Sequence, residues 1–247
     1  MIPLKSEKDL QLIRQSGQIL SQVMRQLEKF VREGVLTREI DELAEKLIRE
    51  QNALPAFKGY KGFPATVCTS INEEIVHGIP SERRLKNGDI LGLDVGVKYN
   101  GYFSDAAVTL PVGVVPAKVK KLIEVARKAL AEGIKEAKPG NHLLDISAAI
   151  QRQVEKNGFS VVRQFVGHGI GTSLHEDPEI PNFGQPHHGL LLEKGMVLAI
   201  EPMVNMGGWE AEISANGWTA VTKDGLPSAH FEHTVAITEK GPEILTR

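Results

Sequence analysis

Two stretches of the chain share one design: NGDILGLDVGV (residues 87–97) and KGMVLAIEPMV (residues 194–204). Each has a glycine, then a short apolar run, and a carboxylate six residues after the glycine, which is Asp94 in the first stretch and Glu201 in the second. Short apolar runs bounded by glycine are typical of buried strands. Each stretch is therefore predicted to be a strand that carries one acidic side chain.

The similarity extends to the residues around these two strands. Downstream, SDAAVTL and FEHTVAI each present a second carboxylate, Asp105 and Glu232, at the start of an alternating strand. Upstream, each copy has the tripeptide HGI, which contains His77 in the first copy and His168 in the second. Because several matches occur in the same order, the chain is interpreted as two related halves, with His77 and His168 as mates.

Helix signals complete each half. Apolar residues at three-to-four spacing predict four amphipathic helices: from a cap at Ser6 to Gly34, from Thr37 as N-cap, from Pro116 to about 138–140, and over 143–157. The sequence thus predicts a single catalytic domain, 1–247, with halves of about 1–113 and 114–247. The fold class is α/β (α+β), with a pseudo-two-fold, a mixed and mainly antiparallel sheet, and helices on its outer face.

In this arrangement the four acidic residues converge at the middle of the sheet. Buried carboxylates a few ångströms apart raise one another's pKa, so they must either share protons or bind a cation. With His168 they offer one nitrogen and several oxygens, enough for two divalent ions about 3.5 to 4 Å apart. A hard, oxygen-rich set without thiolate favours manganese, iron, cobalt or zinc in a hydrolytic role.

The other chemistry-bearing residues carry weaker signals. Glycines at 167, 169 and 171 let the backbone near His168 approach another group closely, and a metal site is the expected neighbour. His187 and His188 stand in the Pro/Gly loop GQPHHG and are expected to be solvated. The histidines expected to be structural are His142, His230 and His233.

Composition excludes several classes of function. The net charge is −2 and no dense Lys/Arg run occurs, which argues against nucleic acid as the primary partner. The first residues lack the apolar core of a signal peptide, and no stretch of about 18 apolar residues is present. A single cysteine, Cys68, fits a reducing compartment, so the protein is expected to be cytoplasmic and not membrane-bound.

The motifs GHGIG, LHEDPEIPNF, LGLDVGV, SDAAVTL, AIEPMV and FEHTVAIT together resemble those of the type I methionine aminopeptidases. The resemblance runs from the first helix to Thr238. It implies the pita-bread fold, in which two similar halves enclose a dinuclear metal centre. It also implies a function, removal of the initiator methionine from nascent proteins with a small second residue, through a metal-bridging hydroxide.

The resemblance implies roles for individual residues. The implied metal ligands are Asp94, Asp105, His168, Glu201 and Glu232, with Asp105 and Glu232 bridging. The implied catalytic residues are His77, His175 and Glu201, with Glu201 moving the proton and His175 bonding the oxyanion. The implied substrate-binding residues are His77, His175, Tyr60, Phe63, Cys68, Leu174 and Trp218. A monovalent cation is implied near Asn72, Glu74 and Ser228.

Two positions depart from the family pattern: Leu174 stands where an aromatic residue is common, and Phe57 where a smaller one often occurs. Both leave the pocket apolar and change its shape. The implied partners are nascent polypeptide N-termini, near the ribosome, and the implied state is a monomer.

Three alternatives remain open from the sequence. Xaa-Pro aminopeptidases and prolidases share the fold and the five ligands but generally carry a large domain before it. Type II methionine aminopeptidases have a helical insertion in the second half, for which the distance from His175 to Glu201 leaves no room. Non-catalytic peptide-binding relatives have lost metal ligands, whereas all five are present in this chain.

Overall fold

The computed structural model describes residues 2–247. The helices are α1 (Glu7–Phe30), α2 (Thr37–Glu50), α3 (Ala117–Glu136) and α4 (Leu143–Glu155), with a 3-10 turn at Tyr60–Gly62. The strands of the first half are β1 (Leu54–Pro55), β2 (Val67–Ile71), β3 (Glu74–Val76), β4 (Ile90–Tyr99) and β5 (Tyr102–Pro111). The later strands are β6 (Ser160–Val161), β7 (Gly167–Gly169), β8 (Glu176–Ile180), β9 (Val197–Ile200), β10 (Met203–Asn205), β11 (Ala211–Ile213), β12 (Ala220–Thr222), β13 (Ser228–His230), β14 (Glu232–Thr238) and β15 (Gly241–Ile244).

The first helix begins where the sequence predicts and ends earlier. The Ser6 hydroxyl accepts the Asp9 N–H and the Asp9 carboxylate accepts the Ser6 N–H, so the capping box is formed. The predicted end at Gly34 is wrong, because Val31 already has an extended backbone and the helix stops at Phe30. Gly34 lies in the following turn with φ +89° and donates its N–H to the carbonyl of Leu85.

The other helix boundaries lie within a few residues of the predictions. Leu36, and not Thr37, is the N-cap of α2, because the Thr37 hydroxyl is occupied with both the N–H and the carbonyl of Ser81. Pro116 is the N-cap of α3. The last helix ends at Glu155, two residues before its predicted end.

One nine-stranded sheet organises the chain, with the order β1-β4-β5-β14-β9-β7-β8, while β2 also pairs with β4 and β15 with β14. All its ladders among residues 2–247 are antiparallel. The prediction of a mainly antiparallel sheet is therefore confirmed, and the expectation that some strands pair in parallel is wrong. Short three-stranded sheets, β13-β10-β6 and β11-β12-β3, flank it. The four acidic strand regions of the repeat therefore occupy the centre of the sheet, as predicted.

The two central strands, β5 and β14, meet along a short seam. Their ladder has two register pairs, Glu232 with Ala107 and His233 with Ala106. At one end the Thr234 hydroxyl accepts the Asp105 N–H and donates to the Asp105 carbonyl. At the other end the Thr109 hydroxyl accepts the N–H of His230 and donates to its carbonyl. Two buried threonines thus extend the seam in opposite directions.

Alternation along the central strands separates the core from the acidic face. On β4, Leu91, Leu93, Val95 and Val97 pack into an apolar cluster with residues of α1 and α2. Because side chains of a strand alternate between faces, Asp94 points to the opposite side of the sheet.

The second half repeats the arrangement with α3 and α4. On β9, Leu198 and Ile200 join the cluster of these helices, and the side chain of Val108 in β5 packs against both clusters. Among the described helices, none is both long and apolar enough to cross a membrane.

Candidate metal centre

All four acidic residues of the repeat and His168 line one cavity on the face of the sheet opposite the helices. Asp94 lies in β4, Asp105 is the fourth residue of β5, Glu232 opens β14, and Glu201 directly follows β9. Asp105, His168 and Glu232 each offer a ligand atom within 4.8 Å of the others.

The acidic side chains are buried without enough donors to satisfy them. One oxygen each of Asp94, Asp105 and Glu232 is buried and has no hydrogen-bond partner among residues 2–247. Burial raises the pKa of Asp94 to about 6 and that of Glu201 to about 7. Burial, together with the charges of neighbouring carboxylates, raises the pKa values of Asp105 and Glu232 well above their usual range. Such a set fits divalent cations, which would satisfy the orphaned oxygens and lower these pKa values.

The His168 ring has the orientation of a metal-ligating imidazole. Its Nδ1 lies 2.8 Å from the carbonyl oxygen of Gly169, which can only accept a hydrogen bond. The proton of the neutral ring is therefore on Nδ1. Nε2 is left with a free lone pair, 3.6 Å from Glu201 Oε1.

The glycines around His168 are required by strand packing and not, as expected, by a nearby metal. A Cβ on Gly167 would lie 2.4 Å from the Ala199 carbonyl, and a Cβ on Gly169 would lie 2.1 Å from the Asp177 carbonyl. These two glycines let β7 fit between β8 and β9, rather than letting backbone approach a metal. They act on the site indirectly, by fixing the strand that carries His168.

The sheet register does not support the pairing of His77 with His168 as mates. His168 lies opposite Ala199 of β9, whereas His77 follows β3, beyond the β2–β3 turn, with φ +60°. The first-half strand in the position of β7 is β2, where Cys68 lies opposite Asp94 and Ser70 opposite Gly92. If Asp105 is superposed on Glu232, the equivalent of His168 is Cys68. If Asp94 is superposed on Glu201, the equivalent is Ser70.

His175 reaches the cavity from the loop between β7 and β8. Its Nδ1 lies 3.0 Å from the Tyr60 hydroxyl, the two rings are stacked, and its ring centroid is 4.1 Å from that of His168. Burial lowers the pKa of His175 to about 3 and that of His77 to about 4, so both rings are neutral near pH 7. The His77 ring packs edge-on against Phe165.

An apolar wall faces the acidic residues across a cavity of about 280 Å³. The rings of Phe63 and Trp218 meet edge to face at 5.2 Å, and burial raises the pKa of the Cys68 thiol, which keeps it neutral. The predicted wall residues that line the cavity are Tyr60, Phe63, Cys68, Leu174 and Trp218. Phe57, the second family departure, also lines it.

Several residues that line the cavity, and one that lies behind Glu201, were missed from the sequence. His230, expected to be structural, is buried with its Nε2 3.4 Å from Glu201 Oε2, so Glu201 lies between two imidazoles. The sequence feature that could have identified His230 was its position two residues before Glu232. The unpredicted residues that line the cavity itself are Lys61, Val76, Gln164, Phe165, Val166 and Met203.

Asn72 and Ser228, two of the three residues expected near a monovalent cation, lie next to each other in the structure. The backbone carbonyl of Asn72 accepts the N–H of Ser228. The Glu74 carboxylate instead accepts the N–H of Ile71 and forms an ion pair with Arg83.

Comparisons with known proteins agree with this geometry. The model of metallopeptidase family M24 matches residues 11–239. Methionine aminopeptidase 1 of Bacillus subtilis (strain 168) is 52% identical to this chain over 247 residues, which is 100% of both. The crystal structure of methionine aminopeptidase from Thermotoga maritima has a TM-score of 0.98 at 45% identity, with 100% of each chain covered.

A more distant similarity relates the chain to a longer protein. Prolidase from Pyrococcus furiosus has a TM-score of 0.81 at 25% identity, and the match covers 99% of this chain and 65% of that one. The similarity to both structures confirms the predicted pita-bread fold.

Proposed function

The chain belongs to metallopeptidase family M24, and from that premise we propose that it removes the N-terminal methionine of newly made proteins by hydrolysing the first peptide bond. The observation that carries the proposal is the cavity, which sets buried carboxylates against an apolar wall. The carboxylates can hold metal for hydrolysis, and the apolar wall can hold an apolar side chain.

We propose that Asp94, Asp105, His168, Glu201 and Glu232 hold two divalent ions, with Asp105 and Glu232 shared. The orphaned carboxylate oxygens and the free Nε2 of His168 support this assignment. When bound, such a pair supplies Lewis acidity that polarises the scissile carbonyl and makes hydroxide available near neutral pH. The donor set suits manganese, iron, cobalt or zinc.

Glu201 is the proposed proton carrier. Burial raises the pKa of its carboxyl group in the metal-free protein to about 7, and the side chain lines the cavity. It would take a proton from water and pass it to the leaving amine. The ring nitrogens of His168 and His230 lie 3.6 and 3.4 Å from its two oxygens, so one imidazole flanks each oxygen.

His175 is the proposed hydrogen-bond donor to the oxyanion. In this role the Tyr60 hydroxyl, 3.0 Å away, would donate to Nδ1 and the proton of the neutral ring would lie on Nε2. A neutral donor whose orientation is fixed by a hydrogen bond and by stacking can stabilise charge that develops on the carbonyl oxygen. His77, beside Phe165, would contact the peptide backbone of the substrate.

The apolar wall is proposed to bind the methionine side chain. A flexible thioether packs well against aromatic edges, which Tyr60, Phe63 and Trp218 provide, and Leu174 and Cys68 complete the surface. We also propose a small second residue in the substrate, as the resemblance to the type I methionine aminopeptidases implies.

The finer assignments are also proposals. A monovalent cation near Asn72, Glu74 and Ser228 would stabilise the meeting of the β2–β3 turn with β13. We propose nascent chains near the ribosome as the substrate, the cytoplasm as the location, and a monomer of one catalytic domain as the active form.

Peptide hydrolysis tests the function. With metal added, we expect release of methionine from Met-Ala, Met-Gly and Met-Ser peptides, and little from Met-Lys or Met-Arg. Efficient cleavage of Arg-Pro peptides would instead support the Xaa-Pro alternative. Metal and peptide binding without any hydrolysis would support a non-catalytic, peptide-binding protein.

A further inference from the structure

A second group of metal-ligating side chains lies outside the catalytic cavity, at the start of α4. His142 is the residue before this helix, Asp145 is the third residue within it, and His187 lies in the loop between β8 and β9. One ring nitrogen of each histidine and one oxygen of Asp145 all lie within 4.8 Å of one another. None of the three lines the catalytic cavity.

The backbone holds these residues in place. The Asp145 carboxylate, whose residue is only 9% exposed, accepts the N–H of His142 on Oδ2 and that of His187 on Oδ1, both at 2.7 Å. The N–H groups of Leu143 and Leu144 donate to the carbonyls of Leu190 and His188. The loop and the helix start are thus joined by several hydrogen bonds, and the Cα positions of all three side chains are fixed.

The side chains retain the lone pairs that a metal needs. Each Asp145 oxygen accepts one hydrogen bond from the backbone, and a carboxylate oxygen can accept more than one. The His142 ring forms no hydrogen bond with any group in the described part of the chain, and the His187 Nδ1 lies 3.6 Å from Asp145 Oδ1. Ligands about 2.0 to 2.1 Å from a tetrahedral zinc are about 3.3 Å apart, close to this separation.

We propose that His142, Asp145 and His187 form a third divalent-metal site, of the zinc class, separate from the catalytic pair. Two imidazoles and one carboxylate are a ligand set that zinc accepts, with water in the open position. The His187 side chain is 84% exposed, so the ion can enter from solvent and that ring can turn to complete the geometry. The site would fasten the start of α4 to the loop that leads into β9 and Glu201, and would stabilise the second half.

Zinc content measured after equilibrium dialysis against micromolar zinc chloride tests this site. We expect His142→Ala and His187→Ala each to bind one zinc per chain fewer than the unaltered protein. His188→Ala is the matched control, because that histidine is in the same loop with its Nδ1 hydrogen-bonded to the Pro186 carbonyl. It should bind as many zinc ions as the unaltered protein. An equal loss in His188→Ala, or no loss in the other two, overturns the proposal.

A second measurement isolates the site from the catalytic centre. In a chain carrying Asp105→Ala and Glu232→Ala, calorimetric titration with zinc should show one equivalent that disappears when His187→Ala is added. Zinc should also raise the thermal midpoint of this chain only while His187 is present. No zinc binding in the doubly substituted, folded chain contradicts the proposal whether or not the catalytic assignment is right, because His142, Asp145 and His187 are all present in it.

Discussion

The two halves of the molecule differ in the strands that flank their acidic strands. In the second half, β7 places His168 against the carboxylates, while in the first half β2 places Cys68 and Ser70 at the equivalent positions. Cys68 is buried and apolar in character, and it contributes to the wall of the cavity. Divergence in this one strand makes the cavity asymmetric, with a nitrogen ligand on one side and a substrate surface on the other.

The largest expected effect separates the two equivalent acids, Glu201 and Asp94. Both should bind metal, but only Glu201 should also move a proton. We expect Glu201→Gln to lose about 10² to 10⁴ in turnover at saturating metal, because a general acid–base group contributes that much. Asp94→Asn should lose activity mainly through weaker metal binding and recover part of it as metal is added. Full turnover of Glu201→Gln at saturating metal would remove the proton role.

The next prediction concerns the three histidines. His168→Ala should weaken metal binding beyond the roughly 10–100-fold cost of losing an outer partner, since it removes the only nitrogen ligand of the centre. His175→Ala should keep the metal and lose about 10² to 10³ in turnover, as expected for an oxyanion donor. His77→Ala should also keep the metal and lose turnover. Calorimetric metal titration and steady-state kinetics on the same samples measure both quantities.

If His77→Ala loses metal as severely as His168→Ala, the asymmetry between the halves is wrong. His233→Ala is a suitable control for general damage, because this half-buried histidine forms a hydrogen bond with Thr246 and does not line the cavity.

The seam threonines offer a matched pair of smaller changes. Thr234→Val leaves the N–H and carbonyl of Asp105 without their hydroxyl partner, and Thr109→Val does the same to His230. Each unsatisfied buried group costs about 1–3 kcal/mol, so both variants should lower the free energy of unfolding by similar amounts in urea. Only Thr234→Val should also weaken metal binding, because Asp105 is a proposed ligand. Equal metal affinity in both variants would mean that Asp105 does not depend on this threonine.

The smallest expected effect is the pH dependence of the metal-free protein. The pKa of Asp94 rises on folding from 3.8 to about 6 and that of Glu201 from 4.5 to about 7. The folded state therefore holds these protons more tightly than the unfolded chain, and this stability is present at low pH and lost as pH rises between about 4 and 7. After treatment with chelator, these two groups should lower the thermal midpoint over this range, against the opposite contribution of His77 and His175, whose lowered pKa values favour folding as pH rises. Divalent metal should remove the contribution of the two carboxyl groups at pH 7.

The contribution of Asp94, in the first half, and that of Glu201, in the second half, can be measured separately in the same experiment. Asp94→Asn should flatten the acidic part of the curve and Glu201→Gln the part nearer neutrality. A pH profile that neither substitution changes would contradict the raised pKa values of these two carboxyl groups.

The sequence predicts the architecture well because the two halves repeat the same pattern of residues. The glycine, apolar run and acid of residues 87–97 and 194–204 locate the central strands, and the apolar stripes locate all four helices. The convergence of Asp94, Asp105, Glu201 and Glu232 follows from pairing those strands.

Other features depend on register and could not be derived from a linear pattern. The HGI tripeptide occurs twice, yet a turn between β2 and β3 carries His77 away from the position that His168 holds. His230 comes close to Glu201 only because β13 lies beside β10. The contact between Tyr60 and His175 spans 115 residues. Helix ends such as Phe30 were missed because Gly34 is a valid stop signal that the chain uses for a turn instead.

The short seam between β5 and β14 makes the chain suited to fragment complementation. The exposed connection at Gly113 and Val114 lies between β5 and α3, so a chain divided there gives two pieces, each with its own helix pair and half of the large sheet. One piece contains two of the acidic residues, and the other contains the remaining two with His168. Neither piece holds the full ligand set. Peptide hydrolysis would then report reassembly of the fragments across the seam, and substitutions at Thr109 or Thr234 would tune how tightly they associate.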